Sequence, residues 1–501
     1  MTTMWITIIV YIAVLIAIAV ITGKHSKSIT DLTIGGRNTG AWLSALSYGT
    51  AYFSAVMFVG YAGTTGLEFG LWGVLAGIGN GILGTWLAWK VLARRTRNVT
   101  QRLKLQTMPQ IFEFRFKSRA MKTFSCIIIF IFLIPYSASV YKGLGSISEI
   151  LLGIDETVFM IIIAALSALL LVFGGYLVQA RADFIQGIIM MFGIVLLIVY
   201  MVRCDRVGGL SGLVEYAKSE VGLPKLSSGK WVSLWATVLM TSFGTWGLPQ
   251  MIQKYFGIRD DAQAKKGIKI STFFSLLVAG GGYFIGSLCH KYFTVGKDMP
   301  AKDYIVPNML KVANFPQVLL GVVIVLLLAA SISTLCSITL TASSTFSLDF
   351  IKGTVKKNMT DNSSKILTKF LCVLFAIASF VVAKSNTPIL DMMSYSWGII
   401  SGSFLAPYVI SLFWKGLNKI GAWVGILGGF CIAVVPALCK LLPLFGYNNE
   451  TISALAGKGP LFACIAMISS ILLCFVFSAA ANGFKTKNDN DFFYNGVIEQ
   501  K

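Results

Sequence analysis

The sequence predicts an all-α integral membrane protein with thirteen transmembrane helices. Three observations carry that expectation. Apolar residues make up 56% of the chain and charged ones only 13%, against about 25% charged in an average soluble domain. Thirteen apolar stretches come near the roughly 20 residues that a hydrocarbon core demands. Two of these stretches are interrupted in the middle by small and polar residues.

In chain order the spans fall at 4–22, 41–63, 71–93, 122–150, 157–177, 182–202, 231–254, 270–289, 316–346, 366–383, 390–414, 420–439 and 460–481. The first does not read as a secretory signal, because Met1-Thr2-Thr3-Met4 has no basic flank and the apolar run is too long. The second is interrupted by Ser47-Tyr48-Gly49-Thr50-Ala51-Tyr52-Phe53-Ser54, and the seventh by Gly244-Thr245-Trp246-Gly247-Leu248-Pro249. A continuous helix satisfies its own backbone in lipid, so such a break is tolerated only where protein covers it or a cavity adjoins it. Two broken helices at matching places in two halves point to a secondary transporter with its site at the midplane. No gap between spans is long enough for a soluble domain, so residues 1–501 read as one transmembrane domain.

The net charge of +21 is a topology signal. With the loop 23–40 placed inside and alternation from there, inside loops, the C-terminal tail and the inner span ends (Lys122, Lys254 and Lys369) hold 28 of the 42 Lys and Arg. Outside loops hold 12, and Lys90 and Lys142 lie within spans. The positive-inside bias puts the N-terminus outside and the C-terminus in the cytoplasm of a multi-pass cell-membrane protein. The richest loop, 94–122, reads as a surface for anionic membrane lipid and not for nucleic acid.

Catalytic chemistry finds little to work with. Nine cysteines are scattered without a CxxC pair, only His25 and His290 are histidines, and no P-loop or dinucleotide fingerprint occurs. An enzyme is the least expected class on that reading, and the missing P-loop argues against ATP-driven transport, which leaves an ion gradient. Sodium is a hard cation and takes oxygen ligands. On the ninth span Ala330, Ser333, Thr334 and Ser337 share one helical stripe. That stripe fits two readings: Na+ coordination together with carbonyls of a broken partner helix, or small-residue helix packing.

The chain resembles the sodium/solute symporter family, its sodium/proline branch most closely. The resemblance runs from about Gly35 to Trp423 and rests on several motifs in order. They are Gly35-Gly36-Arg37 with Ala45-Leu46-Ser47, Leu83-Gly84-Thr85-Trp86-Leu87-Ala88-Trp89-Lys90, and Thr107-Met108-Pro109-Gln110-Ile111-Phe112-Glu113-Phe114-Arg115-Phe116. Trp397-Gly398, Pro407, Trp414-Lys415 and Gly421-Ala422 follow. The resemblance implies two inverted five-helix repeats with broken first and sixth core helices. It divides the chain into an extra helix and loop (1–40), a first repeat (41–205), a second repeat (231–415), two added helices (420–481) and a cytoplasmic tail (482–501). It also implies a Na+ site on the Thr50, Phe53 and Ala330 carbonyls and the Ser333 and Thr334 hydroxyls.

Asp183, at the cytoplasmic start of span six, reads either as a helix cap or partner of Arg181, or as an ion-pathway carboxylate. Some family members use this aspartate for a second Na+, which here would enlist Ser333, Cys336 and Ser337. The thiol of Cys336 is a poor Na+ ligand, so a role for Asp183 in Na+ release is expected instead. Where proline symporters carry Asp-Met-Ser-Gly-Trp, this chain has Tyr52-Phe53-Ser54-Ala55-Val56. Pocket candidates are Tyr52, Ser54, Val56, Gly60, Asn80, Tyr136, Ser139, Thr245 and Trp246. Lys142 either neutralises a solute carboxylate, snorkels outward or pairs with Glu149. The expected function is Na+-coupled import of a small organic solute, an amino acid or small carboxylate, with no obligate protein partner. Import of a neutral sugar-like or vitamin-like solute, and a substrate-sensing receptor on the same domain, are the alternatives.

Overall fold

The computed structural model describes residues 2–24, 28–447, 449–482 and 491–494. These residues are almost entirely helical, and their one strand-like pairing is a parallel bridge between Thr39 and Ile258. Ten helical stretches among them are long and apolar enough to cross a membrane. Large apolar side chains such as Ile9, Phe192, Phe273 and Phe370 face outward, whereas Ser331, Ser333, Thr334 and Ser337 are buried. An apolar outside around a polar inside is the arrangement that lipid as solvent selects.

Ten stretches and thirteen expected spans differ for two physical reasons. Spans five and six lie in one helical run, Glu156–Arg203, of 48 residues. At 1.5 Å per residue it is about 70 Å long, more than twice the hydrocarbon core. The run breaks at Gly175 (φ 56°, ψ −133°). There a Cβ would stand 2.4 Å from the Leu32 carbonyl oxygen, so only glycine fits. Spans two and seven fall short because they are in pieces. Helix Ala41–Tyr52 is followed by two non-helical residues, Phe53 and Ser54, before the chain turns helical again through Val56–Tyr61 and Ala62–Phe69. Helix Ser228–Phe243 passes through a 3-10 turn, Gly244–Trp246, before Pro249–Phe256.

Helix starts carry their own signals. Ser28 and Asp31 form a reciprocal capping box, Ser227 and Asp260 cap the helices that follow them, and Pro249 opens its helix in the first turn. Helix Gln317–Thr345 lies at the centre, packed against Glu156–Arg203, Arg119–Ile147 and the first broken helix. Ile389–Phe413 packs on Arg119–Ile147 from another side and is covered by Lys419–Ala433 and Gly459–Asn482.

The basic loop 94–122 is more engaged with protein than its charge suggests. Arg94 and Arg97 both bind Asp261, at 2.6 and 2.8 Å. Arg95 donates to the Leu412 carbonyl, at the C-terminal end of Ile389–Phe413, and Arg115 to the Lys415 and Leu417 carbonyls just beyond it. Cations at a helix C-terminus complement its dipole and its spare carbonyls. Most of the expected tail, 482–501, lies outside the described residues. Within it, Tyr494 donates to the Ser411 carbonyl and accepts from Arg115.

Candidate functional site

The first break sets carbonyls free. Helix Ala41–Tyr52 closes with the Phe53 N–H on the Gly49 carbonyl. The next amides turn elsewhere: Ala55 N–H to Ser331 Oγ (3.0 Å), Val56 N–H to Ser54 Oγ (3.2 Å), Met57 N–H to the Ser54 carbonyl (3.0 Å). The last carbonyls of the half-helix are thereby deprived of their usual partners and carry the negative end of its dipole.

The central helix supplies hydroxyls at the same place. Ser333 Oγ donates to Thr50 Oγ1 at 2.8 Å. Thr334 Oγ1 lies 3.2 Å from the Thr50 carbonyl, 3.3 Å from that of Ala51 and 3.0 Å from that of Ala330. A hydroxyl has a single hydrogen, so one donor faces three acceptors. Such a group of hard oxygens, short of protons, suits a small monovalent cation. Thr50, Ala330, Ser333 and Thr334 are therefore brought together, and Phe53, one turn beyond, is fully buried beside them.

A buried polar column continues from this cluster. Ser47, one turn before Thr50, donates to Asp183 Oδ2, and Lys254 Nζ donates to Ser47 Oγ (2.8 Å) and lies 3.5 Å from Asp183 Oδ2. The Gln179 amide oxygen, turned to face donors, accepts from Lys254 Nζ (2.9 Å) and the Ser337 N–H (3.2 Å). The Tyr176 ring stands 5.1 Å from the same ammonium. Arg181 turns away to Thr22. Cys336 points its thiol at the Ser167 carbonyl, 3.8 Å away. Sequence reasoning missed Ser47, Gln179 and Lys254. The available signal was a lysine five residues after Pro249 on a helix whose every residue is buried.

The second break is closed by its own bonds. Gly247 N–H returns to the Gly244 carbonyl and Leu248 N–H to that of Thr245, while Ser401 Oγ caps the Gly244 carbonyl. Thr245 and Trp246 reach the Gly84 and Leu83 carbonyls (3.3 and 3.1 Å). Those carbonyls lie in the π-helical turns Asn80–Leu87, where the wider winding loosens the helical ladder. Asn80 accepts from Thr241 and Ser242, and Tyr52 Oη donates to the Thr241 carbonyl. Asn80, Thr245 and Trp246 thus tie the two broken regions together.

An aromatic cluster is built around Trp397, which sequence reasoning used only as a motif. Its ring lies 5.5 Å from Tyr136, edge to face, and 6.0 Å from Tyr52, which stacks on Phe53 at 4.2 Å. Among the described residues, Ser137 Oγ and Tyr61 Oη are buried without a hydrogen-bond partner, and Trp397 Nε1 and Tyr136 Oη have none but each other. Buried polar groups are rarely left so, and an orphaned set invites a ligand. Val56 and Gly60 lie on the segment Val56–Tyr61, which packs on Arg119–Ile147 and Ile389–Phe413 with Gly60 against Ile389, and Ser139 bonds back to the Tyr136 carbonyl. Lys142 stays out of it. Its ammonium donates to the Ser385 and Thr387 carbonyls in a loop.

A separate cavity of about 430 Å3 is lined among others by Thr64, Thr65, Thr237, Asp303 and Asp391. Burial pushes the Asp303 carboxyl above its ordinary range, opposed by the Ile389 N–H, Lys142 and Lys302.

The profile of the Sodium:solute symporter family matches residues 32–429. The chain is a member of that family. It is 28% identical over 424 residues to the high-affinity proline transporter PutP of Bacillus subtilis, covering 82% of this chain and 87% of the relative. To the sodium/proline symporter of Escherichia coli it is 25% identical over 480 residues, covering 92% and 94%. Its fold is similar to that of a Na+-coupled sialic acid symporter solved in a substrate-bound outward-open state, with TM-score 0.78, 17% identity and coverage of 95% and 97%. A nucleobase-cation-symport-1 family transporter in a closed conformation aligns with TM-score 0.54, 14% identity and coverage of 93% and 98%. The symporter is a multi-pass membrane transporter.

Proposed function

We propose that this symporter imports a small amino acid or monocarboxylate together with Na+, by alternating access around the first break. One observation carries the reading: the half-helix ending at Tyr52 presents the Thr50 hydroxyl to Ser333 and the Thr50 and Ala51 carbonyls to Thr334, with fewer donors than acceptors. Na+ is the co-substrate there, held by Thr50, Phe53, Ala330, Ser333 and Thr334. The family membership supports the coupling, and the proline-transporter relatives support an amino-acid-sized solute. Tyr52 and Val56 depart from the proline pattern, so a different small solute of that class is favoured.

The reading includes thirteen crossings, counting Glu156–Arg203 as two and each broken helix as one, in two inverted repeats at 41–205 and 231–415. It puts the N-terminus outside and the C-terminus inside. The basic end is then the cytoplasmic one, sealed by Thr39 N–H on the Gly257 carbonyl and by Arg94 and Arg97 on Asp261. The cavity at Asp303 and Asp391 opens outward.

A second reading, a neutral solute, is favoured by one feature: Lys142 is engaged elsewhere, and the buried polar groups Trp397 Nε1 and Tyr136 Oη are uncharged. Thermal-shift measurements on purified protein with amino acids, monocarboxylates, sugars and vitamins, each in Na+ and in choline, test both. A Na+-dependent shift with one class identifies the solute. Uptake that survives replacement of Na+ by K+ or choline would defeat the coupling.

A further inference from the structure

The Asp183–Lys254 pair is the most deeply buried ionic contact in the described residues, with side chains 0% and 2% exposed. It lies in the interior of a membrane protein, directly below the hydroxyl cluster, and the cation-binding reading above does not use it. A buried carboxylate needs a counter-charge, since an isolated ion in a low-dielectric interior is very costly. A bound cation or a side-chain cation can meet that need.

The geometry points to the second. Lys254 Nζ is surrounded as a cation is: the Ser47 hydroxyl at 2.8 Å, the Gln179 amide oxygen at 2.9 Å, Asp183 Oδ2 at 3.5 Å and the Tyr176 ring face. The groups that a second Na+ beside Asp183 would require are occupied. Ser333 donates to Thr50, Ser337 belongs to Gln179, and Cys336 offers sulfur turned toward Ser167. Among the described residues, Asp183 Oδ1 is left without a hydrogen-bond partner, as is the Tyr176 hydroxyl.

We propose that the Lys254 ammonium is a tethered cation that fills the place of a second Na+, fixing transport at one Na+ per solute. This rests on the Na+-coupled reading above. The charge balance is direct. Asp183 and Lys254 sum to zero, so a second Na+ would add an uncompensated charge to the interior. A single Na+ held by neutral oxygens at Thr50, Ser333 and Thr334 adds one charge per cycle and can leave along the column past the free Oδ1. Removing the ammonium restores an unpaired carboxylate beside Ser47 and Ser333, which a mobile Na+ would then neutralise.

The test is the Na+-to-solute flux ratio in proteoliposomes, with the Hill coefficient for Na+ as a second readout. Wild type should carry one Na+ per solute with a hyperbolic Na+ dependence. Lys254→Arg should keep that ratio. Lys254→Met should turn the Na+ dependence sigmoidal and raise the ratio toward two. Lys254→Met with Asp183→Asn, which removes both charges and spares the fold an unpaired ion, should return to one. Two Na+ per solute in wild type overturns the proposal. So does a ratio of two in the double variant, or an unchanged ratio in a folded Lys254→Met protein. Should Lys254→Met not fold, wild type and the double variant decide alone. Absence of any Na+ requirement in wild type would instead strike the coupling, a separate failure.

Discussion

The two broken helices have similar sequences of small and polar residues but opposite hydrogen-bond economies. At the second break, each turn residue finds a partner: Gly247 and Leu248 bond locally, Ser401 caps Gly244, and Thr245 and Trp246 reach the Asn80–Leu87 turns. At the first, amides are diverted to Ser331 and Ser54, and one Thr334 hydrogen faces three carbonyls. The difference teaches that a break in a transmembrane helix is not itself a site. It becomes a candidate where the surrounding helices leave acceptors without donors. Gly247 illustrates the other use of a break: a Cβ there would stand 2.8 Å from Ser401 Cα, so the glycine serves close packing.

The largest expected effect lies in the column below the first break. Asp183→Asn or Lys254→Met alone should each cost about 3–5 kcal/mol, because each leaves a buried charge unpaired. The double variant should recover much of that loss. Unfolding of the detergent-purified proteins measures it, and single variants as stable as wild type would deny the pair its structural weight.

Next come the hydroxyls. Ser333→Ala and Thr334→Ala should raise the Na+ concentration for half-maximal uptake about tenfold, equivalent to about 1.4 kcal/mol, with little loss of folded protein. Ser401→Ala at the second break should do the reverse, lowering stability by about 1 kcal/mol and leaving Na+ dependence alone. If Ser401→Ala shifts Na+ dependence as much as Ser333→Ala does, the contrast between the breaks collapses.

Smaller effects belong to the pocket. Tyr136→Phe should weaken solute binding by about 1 kcal/mol, the net worth of one hydrogen bond, at unchanged Na+ affinity. Solute titrations at saturating Na+ resolve that. Smallest of all is Lys142→Met, which deletes a charge that bonds loop carbonyls. Affinity for a carboxylate solute should stay within about twofold of wild type, and a steep drop would bring Lys142 back into the pocket.

Much of this was legible in the chain itself. Hydropathy marks membrane helices because lipid accepts only satisfied backbone. The Ala330-Ser333-Thr334 stripe follows from helical spacing, and the family motifs from 35 to 423 led to the membership that the family profile carries. What tertiary structure alone decided is partnership. Lys254 reads in the chain as one more basic residue at a span end, yet the fold places it against Asp183, 71 positions away. Trp397 gained its aromatic neighbours, and Lys142 its loop carbonyls, from positions distant in sequence. Thr245 and Trp246 look as site-like as Thr50 and Phe53 until the carbonyls of Leu83 and Gly84 are seen to claim them. Periodicity and composition fix which groups are buried, because burial is a property of one helix face. Whether a buried group is satisfied, and so free to bind anything else, depends on the helices that arrive opposite it.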